Sequence, residues 1–161
     1  MPALDVLASI LFSETLDFYK RLVLKERKIR FIYGGAGDSV DPNLFSIQAS
    51  MVKKEDMQAV KDAIVAAVDK VKQQGVPPDI LAKTKSHLKY SFAMSIDNPD
   101  QIAQSLGHYT MLTGDPESLN RLYALYDQVT VEDVKKVAQT YFVPTALTIA
   151  TISEDTGGGV K

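Results

Sequence analysis

The stretch that decides the fold runs from Ser86 to Asp100 as Ser-His-Leu-Lys-Tyr-Ser-Phe-Ala-Met-Ser-Ile-Asp-Asn-Pro-Asp, and resumes from Leu112 to Tyr126 as Leu-Thr-Gly-Asp-Pro-Glu-Ser-Leu-Asn-Arg-Leu-Tyr-Ala-Leu-Tyr. Asn98-Pro99-Asp100-Gln101 has the form of a helix start. It offers a side-chain acceptor for the free N–H groups of the first turn, a proline whose fixed φ suits the first helical position, and a Gln three residues after the cap. Asp115-Pro116-Glu117 repeats the device, and Thr130 in Val129-Thr130-Val131-Glu132-Asp133-Val134 caps a further short helix through Tyr141. Pro144 stops it.

Upstream of this block, Met57, Val60, Ile64, Ala67, Val68 and Val71 form one helical stripe opposite Lys61, Asp62, Asp69, Lys70 and Lys72. Gly75 and Pro77-Pro78 end that helix, and the next starts near Pro78 and buries Leu81, Leu88 and Phe92. Ala3 to Phe12 places Leu4, Leu7, Ala8, Ile10 and Leu11 at helical spacing, which predicts a mostly buried helix. Ser13 to Leu24 is expected to continue as a second helical segment with Leu16, Tyr19, Leu22 and Val23 inward. Ile29 to Tyr33 is β-prone. After a Gly34-Gly35-Ala36-Gly37-Asp38 turn and an Asp41-Pro42-Asn43 break, Leu44 to Val52 alternates Leu44, Ser46, Gln48 and Ser50 against Phe45, Ile47, Ala49 and Met51. That alternation describes an antiparallel pair with one wet face. Ala146 to Ile152 is expected to be one more strand, and Gly157-Gly158-Gly159 marks a flexible tail over 154–161. The order helix, helix, strand, strand, four helices, strand implies an α+β fold, a small antiparallel sheet covered on one face by helices.

The chain of 161 residues, 45% of them hydrophobic, is the size of one domain and can bury a sizeable core. A formal net charge of −2 argues against nucleic acid or an anionic membrane as the main partner. The absence of cysteine removes disulfides, thiolate catalysis and cysteine-containing zinc sites. No run approaches the ~18 apolar residues of a membrane span, and the N-terminus lacks the basic start of a signal peptide. The compartment stays open.

The residues that carry chemistry elsewhere lack their context here. Gly34, Gly35 and Gly37 would need to open a helix to cradle a phosphate, yet Asp38, Asp41 and a strand follow them. A zincin places two His and a Glu on one helical face, but His87 and His108 each stand alone. Both sit in helical runs, where packing or a hydrogen bond is the expected role. No Gly-x-Ser-x-Gly elbow supports a nucleophilic serine. Tyr109, Tyr123 and Tyr126, with Leu119, Leu122 and Leu125, read as helix–helix packing rather than a ligand cage. The charged runs Lys25 to Lys28 and Lys53 to Asp56 read as solvated element ends. No catalytic, cofactor-binding or metal residue is assigned.

The two Asx-Pro turns, the helix between them and the Val-Thr-x-x-Asp-Val segment resemble the C-terminal, non-zinc half-domain of the insulinase/pitrilysin-type zinc metallopeptidases. The resemblance extends from Ala3-Leu4-Asp5-Val6-Leu7 through Lys25-Glu26 and Asp41-Pro42-Asn43-Leu44-Phe45 to the closing strand expected over 146–152. It implies a ferredoxin-like half of a duplicated α/β enzyme, forming a single half-domain over 1–153. Family halves begin with a strand ahead of the first helix, so the resemblance also implies an N-terminal truncation and a sheet edge free for self-association. The catalytic half carries His-x-x-Glu-His on its first helix, and the matching helix here, Leu4 to Phe12, has no histidine. A partner half often supplies an Arg and, seven positions later, a Tyr. The matching places hold Val23 and Arg30, and no Arg in this sequence has a Tyr at that spacing.

The expected function is therefore a non-catalytic half-domain, inactive on its own and without zinc, packing against a zinc-bearing half and lining a chamber for peptide substrate. The alternatives are an inactive structural module of the same family and an unrelated ferredoxin-like binding domain.

Overall fold

The structure, a computed structural model, describes residues 2–14 and 16–152. The expected tail over 154–161 lies outside them. Helix α1 (Pro2–Phe12) is the central element, because its apolar residues are spread around the helix and not confined to one stripe. Val6 and Leu7 have no exposed surface, and Leu4, Leu11 and Phe12 are buried with them. A short helix α2 (Asp17–Tyr19) then widens into a π-helical stretch, Lys20–Lys25, which buries Leu22. The second helical segment thus starts later than its sequence suggests and is not regular α-helix. Its end is tight. The Lys28 N–H donates to the Leu22 carbonyl at 3.0 Å, and Arg27 takes a left-handed conformation with φ 51°.

Strands β1 (Ile29–Gly35) and β2 (Ser46–Met51) pair antiparallel, with Phe31 opposite Ser50, Tyr33 opposite Gln48 and Gly35 opposite Ser46. A register shift between Ile29 and Phe31 makes Arg30 the extra residue of a bulge. The bulge lets Ile29 and Ile32, three apart, both bury against the helices. Along β2 the expected alternation holds, since Phe45, Ile47, Ala49 and Met51 pack on the core. Gly34 and Gly35 belong to β1 and not to a turn, and the loop begins at Ala36.

Five helices follow the sheet where four were expected: α3 (Met57–Gln74), α4 (Pro78–Ser95), α5 (Pro99–Thr113), α6 (Ser118–Gln128) and α7 (Val131–Tyr141). Gly75 ends α3 at φ 71° and ψ −155°, a region closed to side chains with a β-carbon. The α5 cap forms as predicted, with the Gln101 N–H donating to Asn98 Oδ1 at 3.0 Å. At α7 the capping is reciprocal: the Asp133 N–H donates to Thr130 Oγ1 at 3.1 Å, and the Thr130 N–H donates to Asp133 Oδ2 at 2.9 Å. Asp115 departs from the pattern. It accepts the Glu117 N–H at 2.8 Å in a turn, and α6 begins only at Ser118, without a side-chain cap.

Packing ties the two ends of the chain together. Helix α1 lies against β1, α4, α6 and α7, and α3 lies against α7. Gln139 Nε2 donates to the Lys72 carbonyl at 2.9 Å, and Lys85 Nζ donates to the Asp127 carbonyl at 3.0 Å. Helix α5 contributes no buried residue. The expected strand over 146–152 does not form. Pro144–Ala146 makes a 3-10 turn, and Leu147 to Ile152 continue without a ladder partner, so the sheet has two strands among the described residues. The fold is α+β and mostly helical, with helices on one face of a small antiparallel sheet.

Candidate functional site

An open groove of about 570 Å³ lies between α1, β1 and α4. Its floor is Phe12, Ile32 and Gly34, its α1 side carries Asp5 and Ser9, and its α4 side carries His87 and Ser91. Ile32, Tyr33 and Gly34 border it consecutively. Ile32 and Gly34, two apart, share the face of β1 that is turned toward α1. Gly34 sets the depth. A β-carbon there would meet the Phe12 ring, and its absence lets the ring lie against the strand.

Behind the groove, Tyr126 Oη donates to Asp5 Oδ2 at 3.1 Å. Burial raises the Asp5 pKa above its ordinary value. Its own burial, and then the Asp5 carboxyl that it donates to, push the Tyr126 hydroxyl up as well. Beside it, burial and the Asp38 carboxylate push Tyr109 up to about 12. His108 Nε2 stands 3.4 Å from Asp38 Oδ2, so this side chain joins the β1–β2 loop to α5. Tyr123 stacks obliquely on Phe92, with ring centres 4.7 Å apart, and meets Tyr126 edge-on at 6.3 Å. The tyrosine cluster packs ring on ring, with a partly buried polar contact from Tyr126 to Asp5 and another from Tyr109 to Asp38.

The two histidines stay apart in role. His87 borders the groove from α4, whereas His108 sits on α5 against Asp38. Among the described residues no group of three or more His, Asp or Glu is placed to hold a metal ion. The donor set of this chain does not fit a zinc centre of the insulinase kind, because α1 offers only Asp5 and the imidazoles lie on different helices. Val23 packs against the core, and Arg30 is an exposed bulge residue. The glycine cluster leads into a loop and β2, without a helix N-terminus to complete an anion cradle. No helix of the described residues is long and apolar enough to cross a membrane. Sequence reasoning missed the groove itself. Its nearest signal was Gly34, a strand glycine that marks a close approach. The groove offers carboxylates, hydroxyls and an imidazole beside an apolar floor.

No protein-family model matches the chain, and no curated protein matches it. Solved structures do. A protease from Helicobacter pylori superposes with a TM-score of 0.78 at 23% identity, over 90% of this chain and 35% of that one. The peptidase M16 inactive domain from Pseudomonas fluorescens gives 0.73 at 16% identity, over 88% of this chain and 34% of that one. A chain of Complex III2 from Candida albicans gives 0.71 at 16% identity, over 87% and 36%. The chain thus spans about a third of the length of each of these three proteins. The fold of this chain is the one these structures share, among them a domain described as the inactive domain of a peptidase M16.

Proposed function

We propose that the chain is a non-catalytic half-domain of an insulinase-type zinc metalloendopeptidase, ferredoxin-like in plan. In this reading it packs against a zinc-bearing half and walls the chamber that holds peptide substrate. The observation that carries it is the likeness to an inactive M16 domain, joined to an α1 that carries no histidine. The test is reconstitution. Mixed with a zinc-bearing insulinase-type half encoded beside it, the chain is expected to form a stable complex that cleaves a fluorogenic peptide, with cleavage lost when the chain is left out. Cleavage by this chain alone would overturn the reading.

A second reading is a structural module in a larger assembly, favoured by the likeness to a chain of Complex III2. It predicts a stable complex in which no partner's peptidase activity depends on this chain.

A further inference from the structure

Charge is distributed one-sidedly where the β1–β2 loop meets α5. From Phe31 to Val52, and again from Tyr90 to Asn120, the sequence holds no Lys or Arg. The first of these stretches carries Asp38 and Asp41, and the second carries Asp97, Asp100, Asp115 and Glu117. Across both, His108 is the one side chain that can become a cation. Its Nε2 stands 3.4 Å from Asp38 Oδ2, with both side chains about half exposed. The neighbouring Tyr109 also hydrogen-bonds to Asp38, so two consecutive residues of α5 hold one loop carboxylate. The loop is braced within itself by bonds that do not titrate. Asn43 Nδ2 donates to the Ala36 carbonyl at 3.1 Å, and Ser39 Oγ donates to the Asp41 carbonyl at 2.8 Å.

We propose that His108 makes the contact between the β1–β2 loop and α5 pH-dependent, drawing loop and helix together when it is protonated and loosening them when it loses its charge. Imidazoles change charge within the range of about pH 5 to 8. The other charged or titratable groups of the elements that meet here are acidic, neutral or already paired over that range. The loop brings Asp38 and Asp41, α5 itself brings Asp100 and Tyr109, and α1 brings Asp5, whose carboxyl lies near enough to Asp38 to feel its charge. From α6 come Tyr123 and Tyr126, whose hydroxyls are pushed up and stay protonated, Arg121, held by Asp115 at 2.6 Å, and Asp127, held by Lys89. A neutral imidazole therefore offers at most a hydrogen bond against carboxylates on both sides of the contact, whereas the imidazolium opposes them with a charge. Asp5 acts in the same direction, because a carboxyl with a raised pKa loses its charge earlier as pH falls and so repels Asp38 less. The loop continues directly from Tyr33 and Gly34, which border the groove, so the same protonation steadies that end of the groove. The proposal does not depend on the peptidase reading.

The test is native-state hydrogen exchange of the intact chain at about pH 5.5 and about pH 7.5, on either side of an ordinary imidazole titration, with rates corrected for the intrinsic pH dependence of exchange. Amides of residues 36–45 and of α5 are expected to exchange about threefold more slowly at the lower pH than those of His108→Gln under the same conditions, the order that an exposed ion pair contributes. Reading the difference from His108→Gln cancels the titration of Asp5, which both chains share. His108→Lys, charged at both pH values, should keep the slow exchange at both. Asp38→Asn, which leaves α5 untouched, should remove the response from the loop side. A pH response that survives in His108→Gln, a chain with no pH response, or a His108→Lys variant that exchanges as fast as His108→Gln would each overturn the proposal.

Discussion

The ring of Phe12 and the backbone of Gly34 occupy adjoining space so closely that a β-carbon on residue 34 would lie 2.5 Å from Phe12 Cε2 and 2.7 Å from Cδ2. Phe12 is buried at the end of α1, and its ring meets Phe18 edge-on with centres 6.4 Å apart, so it has little freedom to withdraw. Gly34→Ala should therefore destabilise the fold by about 1–3 kcal/mol, the usual cost of overpacking. A Gly34→Ala, Phe12→Leu double variant should recover part of that loss in urea denaturation. Additive losses would show that the two residues do not compete for space.

Asn98→Ala should cost about 0.5–2 kcal/mol, because it removes the acceptor of the Gln101 N–H at the start of α5. An unchanged denaturant midpoint would mean that no capped helix starts there.

Arg27→Gly should raise stability by up to about 1 kcal/mol. A left-handed conformation strains a residue with a β-carbon, and glycine adopts it freely. The gain is net of glycine's larger unfolded-state entropy, and thermal melts would read it. A loss would show that the Arg27 side chain holds more than its backbone costs.

Asp5 gives the fold a pH dependence of defined sign. Its folded-state pKa is raised above 3.8, foremost by burial, so the folded chain holds the proton more tightly than the unfolded one. The favourable contribution is present below about 3.8 and is lost as pH rises through the higher folded value. Asp5→Asn should accordingly be more stable than the wild type at pH 7 and should lack that segment of the stability–pH curve. Tyr126→Phe should act the other way at pH 7, costing about 1.5–3 kcal/mol by removing a hydrogen bond to a charged acceptor.

What the sequence made legible is what local chemistry determines. The caps at Asn98 and Thr130, the glycine stop at Gly75 and the buried α1 all depend on residues within a turn or two of one another. Ala146 to Ile152 has every local mark of a strand, but a strand exists only where a second one pairs with it, and among the described residues none does. The Gly34-Gly35 pair has the composition of a turn, yet the decisive factor is Phe12, more than twenty residues away in the chain. The π-helical stretch has no composition of its own. The groove was invisible for the same reason as Gly34's role: Asp5, Tyr33 and His87 come from three separate segments that only the packed fold brings together.

Helix α5 buries none of its residues and packs chiefly on α6, so its fifteen residues are held by their own hydrogen bonds, their cap and little else. A helix of that length is marginal in water by itself. Its amides should therefore exchange with solvent deuterium through a local opening far cheaper than global unfolding, while those of α1 exchange only when the whole domain opens. The loop held by His108 and Asp38 would then share the motion of α5, and a region some distance from the core would set the protein's most frequent excursion from its native state.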